Sequence, residues 1–135
     1  MAGSKSDYLE NKLLRHMAKL EVFAAPANWY LTLFTVAPTD AGGGTECAGG
    51  NYVRKLVAVD GVNFTVTAST LTNGADFLFL VQTAAIGTPV AWGIFDAASG
   101  GNLLWWGDLL VGDQKVYSIN DQPIIPASTI AITED

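Results

Sequence analysis

The sequence contains one histidine and one cysteine, residue types that often act as catalytic bases and nucleophiles. His16 falls in a predicted helix, where its neighbours Lys12 and Lys19 are neither a nucleophile nor an acid that could orient a base. Cys47 lies in a glycine-rich stretch with no nearby group to activate a thiol. We therefore interpret His16 as a partly exposed helix residue and Cys47 as non-catalytic. A lone cysteine also excludes an intrachain disulfide and a cysteine metal cluster.

The run Gly42–Gly44 resembles a phosphate-binding loop in composition only. No Gly-Lys-Ser or Gly-Lys-Thr follows it and no strand–loop–helix unit surrounds it, so flexibility or left-handed turns explain it better. Four aspartates could gather around a cation, but their spacing is not that of a calcium loop, and nothing selects one glycosidase-like pair of carboxylates. We predict no catalytic residue, no cofactor and no metal site. The aspartates are Asp96, Asp108, Asp113 and Asp121.

Aromatic side chains are concentrated in two neighbouring predicted strands, which carry Trp92, Phe95, Trp105 and Trp106. Trp105 and Trp106 are consecutive, and consecutive strand residues point to opposite faces of a sheet. One ring can therefore enter the core while the other faces outward or into another subunit. Three interpretations stay open: both rings are buried, one of them under the N-terminal helix; one ring anchors an interface; or an exposed ring binds a sugar.

One helix is predicted, over residues 7–20. Its apolar residues recur at helical spacing, and Asp7 followed by Glu10 resembles a capping box. The apolar stripe can cover the open end of a β-sheet core or contact a partner, and we favour the first role. The stripe consists of Leu9, Leu13, Leu14, Met17 and Leu20, and the basic residues Lys12, Arg15 and Lys19 lie off it.

About eight short strands are predicted after the helix, separated by turn signals. Asp60-Gly61, between two apolar runs, predicts a hairpin. The pattern indicates an all-β fold, an antiparallel β-sandwich or jelly-roll-like barrel with one N-terminal helix, in a single domain over residues 1–135 whose sandwich begins at residue 28. The predicted strands are Asn28–Val36, Tyr52–Val59, Val62–Thr67, Asp76–Gln82, Pro89–Phe95, Asn102–Leu109, Lys115–Ile119 and Thr129–Thr133.

Charge is scarce: only 15% of the residues are charged, 50% are hydrophobic, and the net charge is −6. So little charge, together with four tryptophans, favours a surface partly covered by a partner. Residues 1–21 carry +1 and the remainder −7, so the basic N-terminus could dock on an acidic neighbour, while the acidic body disfavours nucleic acid. No apolar run reaches membrane length and no secretory signal is evident, so we expect no membrane partner and synthesis in the host cytoplasm.

Three stretches carry a resemblance: Ser6–Leu14 (SDYLENKLL), Trp29–Tyr52 (WYLTLFTVAPTDAGGGTECAGGNY) and Trp92–Gly107 (WGIFDAASGGNLLWWG). Together they resemble a family of small phage virion proteins, often labelled tail fibre or minor structural proteins. The positions that match the family pattern in the last two stretches and just beyond are Tyr30, Leu31, Phe34, Pro38, Thr39, Asp40, Gly42–Gly44, Thr45, Glu46, Gly49, Gly50, Tyr52, Arg54, Gly93–Ala97, Ser99–Leu104 and Gly107.

The resemblance implies a non-enzymatic structural component of the virion and leaves its place in the particle open. A decoration or cement protein would bind the major capsid protein and stabilise the head shell. A tail, tail-fibre or adaptor component would bind other virion proteins, and a carbohydrate- or receptor-binding module is a third alternative. A short chain without fibrous repeats or heptads favours the compact decoration role, in a homo-oligomer such as a dimer or trimer.

Residues for the contacts follow from the same features. A long glycine-rich loop in a compact domain usually has a function, which favours the loop over residues 38–50. The tryptophan pair and the basic helix residues complete the set. The interface candidates are Pro38, Thr39, Asp40, Gly42, Gly43, Gly44, Glu46, Trp105, Trp106, Lys12, Arg15 and Lys19.

Overall fold

The computed structural model describes residues 2–134, and within them most strands join one large mixed sheet. Its strand order is β3-β2-β8-β9-β1-β11-β6-β5, with β4 also paired to β2, while β7 and β10 pair with each other. The elements are β1 (Ala2–Lys5), α1 (Asp7–Met17), β2 (Asn28–Val36), β3 (Thr45–Glu46), β4 (Lys55–Ala58), β5 (Phe64–Thr67), β6 (Thr70–Asn73), β7 (Phe77–Leu78), β8 (Ala91–Phe95), β9 (Leu103–Asp108), a 3₁₀ turn (Val111–Asp113), β10 (Ile124–Ile125) and β11 (Ala131–Thr133). The all-β fold with one helix is confirmed, and the jelly-roll arrangement stays a prediction.

Strand β1 joins two antiparallel halves of the sheet. Its first two residues pair in parallel with β11, and its last two pair antiparallel with β9. The expectation of a wholly antiparallel sheet is therefore wrong at the β1–β11 pair. Sequence reasoning missed β1 because Ala-Gly-Ser-Lys has no strand propensity of its own, and its pairing comes entirely from long-range contacts.

The core lies between the two halves. Trp29 on β2 meets Phe64 on β5 edge to face, with ring centroids 4.8 Å apart. Phe64 in turn contacts Phe77 on β7, so the small β7–β10 pair joins the same cluster. Alternate residues of β2 enter this cluster, as expected for a pleated strand. They are Trp29, Leu31 and Leu33.

Helix α1 covers the core only with its first turns. Leu9 is buried and Leu13 half-buried, whereas Leu14 and Met17 are 71% and 78% exposed. Ser6, and not Asp7, caps the helix: its Oγ accepts a hydrogen bond from the Leu9 amide at 3.2 Å. Core covering is therefore a role of its N-terminal half alone.

The helix is also shorter than predicted. It ends at Met17, because Lys19 adopts a left-handed conformation (φ 60°) that helical residues cannot adopt. Leu20 therefore lies outside it.

Two strand predictions are wrong. Asp60-Gly61 does not form a hairpin, because the strands on its two sides do not pair with each other: β4 pairs with β2, and β5 pairs with β6. In this turn, Asp60 Oδ1 accepts hydrogen bonds from the amides of Val62 and Asn63. Residues 115–119 form no strand, and only Tyr117 makes an isolated bridge, to Gly87. The structure adds β1, β3, β6 and β10, which were not predicted.

Trp92 is fully buried, and two glycines make room for its ring. A Cβ added at Gly107, which lies opposite Trp92 on β9, would fall 2.7 Å from Trp92 Cζ2, and one at Gly3 would fall 2.6 Å from Cη2. Both distances are too short for real contacts, so β1 and β9 can flank this tryptophan only with glycine at these positions.

Gly107→Ala is therefore expected to destabilise the fold by about 1–3 kcal/mol through overpacking. Gly112→Ala is the matched control, because a Cβ there meets nothing within 4 Å and its stability should change little. Urea unfolding followed by tryptophan fluorescence measures both. Equal midpoints for the two variants would show that the Trp92 packing tolerates a side chain on β9.

Candidate functional site

The glycine-rich loop after β2 is an ordered turn. The amides of Thr39 and Gly42 bond each other's carbonyls at 3.0 and 2.8 Å, and the Thr39 hydroxyl donates to Gly42 O. Gly44 has φ 77°, and a Cβ there would lie 2.7 Å from Val36 O. The glycines therefore serve left-handed turns and a close backbone approach, which was one of the two explanations expected from the sequence.

The tip of this loop is anchored to the helix start and to β9. Asp40 Oδ1 accepts a hydrogen bond from Trp106 Nε1 at 2.9 Å, and Asp40 O accepts from the Asp7 amide at 2.8 Å. Beside this contact, the Ser6 hydroxyl donates to Leu103 O. We call residues 39–44 together with Trp106 the loop surface.

Trp105 and Trp106 point to opposite faces, as the strand geometry predicts. Trp105 packs against the core beside Trp29, with centroids 5.0 Å apart, and lines a 300 Å³ apolar cavity with helix residues Leu9 and Leu13. Trp106 is half-buried on the other face, next to Asp40. Of the two, only Trp106 belongs to the loop surface.

Arg54 joins this loop to the turn after β8. Its guanidinium donates to both carboxylate oxygens of Glu46, at 3.0 and 2.9 Å, and Nη1 donates to Ala97 O at 2.9 Å and Gly100 O at 2.8 Å. The guanidinium also lies 3.9 Å from the Phe95 ring centroid, and the side chain is only 8% exposed. Such a planar, bidentate arrangement suits arginine and not lysine.

The neighbouring polar groups are also paired. The Tyr52 hydroxyl donates to Glu46 Oε1 at 3.2 Å and accepts from the Leu33 amide at 3.0 Å, and burial raises the pKa of Tyr52. Asp96 accepts from the amide and the side chain of Asn102 at 2.7 and 2.9 Å. The two long stretches that resemble the phage family thus meet here, and their polar residues hold loops together.

The predicted interface candidates fall in three settings. Thr39, Asp40, Gly43 and Gly44 are exposed, Gly42 is half-buried, and Pro38 is buried and unavailable for contact. Glu46 is bonded to Arg54, and sequence reasoning did not identify Arg54 as its partner. Only the match of Arg54 to the family pattern pointed to it.

The basic candidates lie apart from the loop, on the helix. Lys12 and Arg15 both bind Glu21, and these hydrogen bonds lower the pKa of the Glu21 carboxyl. Lys19 makes none of the ion pairs found among residues 2–134. The candidates that reach the surface are therefore divided between the loop, with Trp106 beside it, and the helix.

A cleft of about 370 Å³ lies between the loop tip, the helix start and the turn before β9. Two aromatic side chains, Tyr8 and Phe95, line it together with Asp7, Asp40 and Asn102. Asp40 and Asn102 already bond Trp106 and Asp96, so they are held in fixed orientations. Because the Arg54 guanidinium and Phe34 cover the Phe95 ring, the cleft offers the Tyr8 ring and carboxylates to a small polar ligand.

The groups most capable of catalysis have structural roles. Burial, together with the charge of Glu46, raises the pKa of the Cys47 thiol to about 12, so the thiol is protonated at neutral pH. His16 Nδ1 accepts a hydrogen bond from the Phe23 amide at 3.1 Å, which holds the segment after the helix.

Among residues 2–134, no three His, Cys, Asp or Glu side chains come together as metal ligands. In the same residues, no helix has both the length and the apolar character needed to cross a bilayer.

The model of the family described as podophage GP4 fiber I protein gp80 matches residues 4–133, which is nearly the whole chain. The chain belongs to this family. It is a small structural protein of the phage virion, as the resemblance in the sequence implied. No curated protein is detectably similar to this gp80-family chain.

Arg54→Lys in the gp80-family chain tests the hydrogen bonds that Arg54 makes to Glu46, Ala97 and Gly100. Lysine keeps the charge but cannot bond both Glu46 oxygens and two carbonyls at once, so we expect a loss of roughly 2 kcal/mol, the scale of charge-assisted hydrogen bonds. Amides of residues 39–54 should also exchange hydrogen faster. Arg15→Lys is the matched control, since Arg15 bonds Glu21 at the exposed surface and its replacement should leave stability unchanged. Equal stability of the two variants would show that the hydrogen bonds of Arg54 contribute little to the stability of the fold.

Proposed function

We propose that this chain is a non-enzymatic assembly component of the virion that attaches to a larger virion protein through its loop surface. The observation that carries the proposal is the internal bonding of the loop: its tip is exposed, yet Asp40 and Glu46 tie it to β9, to the helix and to Arg54. A loop that is already ordered loses little conformational entropy on docking.

The paired polar groups support a role without catalysis. The carboxylates of Glu46 and Asp96 are occupied by Arg54, Tyr52 and Asn102, and the one thiol is buried and protonated. Many copies that each bury a modest patch can stabilise a particle through multivalency.

Two placements fit this role. A decoration protein would bind the major capsid protein on the head, and the compact β body supports that placement. A tail-fibre or adaptor component would bind other virion proteins at the tail, and the description of the family as a fibre protein supports that placement.

Separation of DNA-filled heads from tails, with the chain quantified in each fraction, decides between the placements. Abundance close to one copy per shell subunit in heads supports decoration. A few copies that remain with tails support the fibre or adaptor placement and overturn the decoration reading.

A second candidate function is binding of a host carbohydrate or receptor. The cleft beside the loop supports it, because the Tyr8 ring lines it and can stack on a sugar, while Asp7 and Asp40 offer acceptors. In contrast to the assembly role, this function would be measured on host cells and not on particles.

Ala41→Arg tests the loop surface. Ala41 is exposed at the loop tip and lines the cleft, so an arginine there should block contact without disturbing the core. We expect co-sedimentation with particles lacking the chain to weaken at least 10-fold, because a large charged side chain disrupts a complementary surface.

Ala127→Arg is the control, because Ala127 is exposed and lies outside the loop surface. It should bind particles as the unmodified chain does. Unchanged particle binding by Ala41→Arg would refute attachment through the loop. Saturable binding of the unmodified chain to host cells, lost in Ala41→Arg, would instead establish the carbohydrate or receptor function.

A further inference from the structure

The helix leaves the core halfway along its length and exposes its remaining apolar residues. We call residues 12–22 the helix end. Leu20 is 69% exposed and Val22 85% exposed, and with Leu14 and Met17 they form an apolar surface that residues 2–134 leave uncovered. Exposed apolar groups concentrated in this way mark interaction sites in small soluble proteins.

The helix end is a fixed structure and not a loose tail. Glu21 folds back to bind both Lys12 and Arg15, and the Leu20 amide donates to Arg15 O at 2.9 Å. The Phe23 amide closes the segment on His16 Nδ1. The apolar side chains are therefore presented by a preorganised turn, which lowers the entropic cost of docking.

A second exposed apolar surface lies after β9. We call residues 108–121 the acidic segment. It folds around the buried Tyr117, whose amide donates to Gly87 O at 3.0 Å, and burial followed by the nearby charges of Asp113 and Asp121 raises the pKa of Tyr117. Four of its apolar side chains are more than half exposed: Leu110, Val111, Val116 and Ile119.

The two surfaces are complementary in charge. The helix end carries three basic residues and one acidic residue, whereas the acidic segment carries three acidic residues and one basic residue. Each surface therefore combines exposed aliphatic side chains with a net charge of two units, of opposite sign. Complementary charge around an apolar centre favours association and orients the partners.

The two surfaces do not cover each other within one chain, because the apolar side chains of both remain more than half exposed. The acidic segment begins at Asp108, the last residue of β9, and the helix begins beside Leu104 of the same strand. Each surface is therefore available to another copy.

We propose that the helix end of one copy docks on the acidic segment of a second copy of this chain. The same chain carries both halves of a complementary pair, and residues 2–134 cover neither half. Repetition of one such contact under closed symmetry yields a defined homo-oligomer. The proposal rests on the assembly role proposed above, but it assigns self-association to residues other than the loop surface.

The test uses two variants of the full chain. Met17→Asp with Leu20→Asp breaks the helix end, and Val111→Lys with Val116→Lys breaks the acidic segment; all four positions are at least 66% exposed, so folding should be retained. We expect the unmodified chain to self-associate in sedimentation velocity. Each variant alone should associate at least 10-fold more weakly, and an equimolar mixture should form a dimer through the one intact pair of surfaces.

Val66→Asp is the control, because Val66 is 68% exposed on β5, outside both surfaces, and should associate as the unmodified chain does. A monomeric unmodified chain would overturn the proposal, and so would variants that fail to complement each other in the mixture. If only the helix-end variant lost association, the result would contradict docking on the acidic segment and indicate a contact between two helix ends.

Ala41→Arg distinguishes failure of attachment through the loop surface from failure of self-association. Ala41→Arg leaves both surfaces intact, so it should self-associate normally even where it no longer binds particles. Loss of self-association in Ala41→Arg would overturn the assignment to the helix end and the acidic segment.

Discussion

The arrangement of the loops depends on the burial of one charge, the guanidinium of Arg54. Removal of an arginine from water costs several kcal/mol unless its N–H groups find acceptors. Here the acceptors come from two separate parts of the chain, Glu46 on β3 and the carbonyls of Ala97 and Gly100. The charge is satisfied only when the loop after β2 and the turn after β8 come together, which makes their ordering cooperative. Phe95 closes the remaining side of the guanidinium and excludes water.

A second constraint on the fold is the packing of the buried Trp92 ring against β1, the strand that leads into the helix. The ring lies over Gly107 on β9 and Gly3 on β1, where a Cβ would not fit. From β1 the chain passes directly to Ser6, which caps the helix, and then to Asp7, whose amide reaches Asp40 in the loop. The core strand, the helix start and the anchored loop tip are thus joined within one short stretch of chain.

Features that depend on local periodicity could be predicted from the sequence. The strand Asn28–Val36 was predicted with the bounds that β2 has, because its alternating aromatic and β-branched residues need no distant information. The opposite orientation of Trp105 and Trp106 followed from strand pleating alone. The raised pKa of Cys47 also agrees with the sequence, in which the acidic Glu46 and no basic side chain lies next to it.

Features that depend on distant partners could not be predicted. β1 and β10 have too few residues for periodicity, and their pairs lie far away in the chain. Asp60-Gly61 has the composition of a hairpin turn, but Asp60 bonds two following amides and directs the chain to the other half of the sheet. Glu46 was predicted only as an interface candidate, and its pairing with Arg54 was not predicted because no sequence period links the two residues. The apolar stripe of the helix indicated burial, but its second half extends past the edge of the core.

The distribution of these contacts separates scaffold from recognition. Residues that match the family pattern, such as Glu46, Arg54 and Asn102, are occupied by bonds within the chain, so a family match reports the scaffold first. The surfaces proposed for recognition are instead those that the fold leaves exposed, which in residues 2–134 include the loop tip, the helix end and the acidic segment. The last two lie largely outside the stretches that carry the family resemblance. Substitutions at these exposed surfaces can therefore alter a contact without disturbing the buried arginine or the tryptophan core, because the exposed side chains take no part in either.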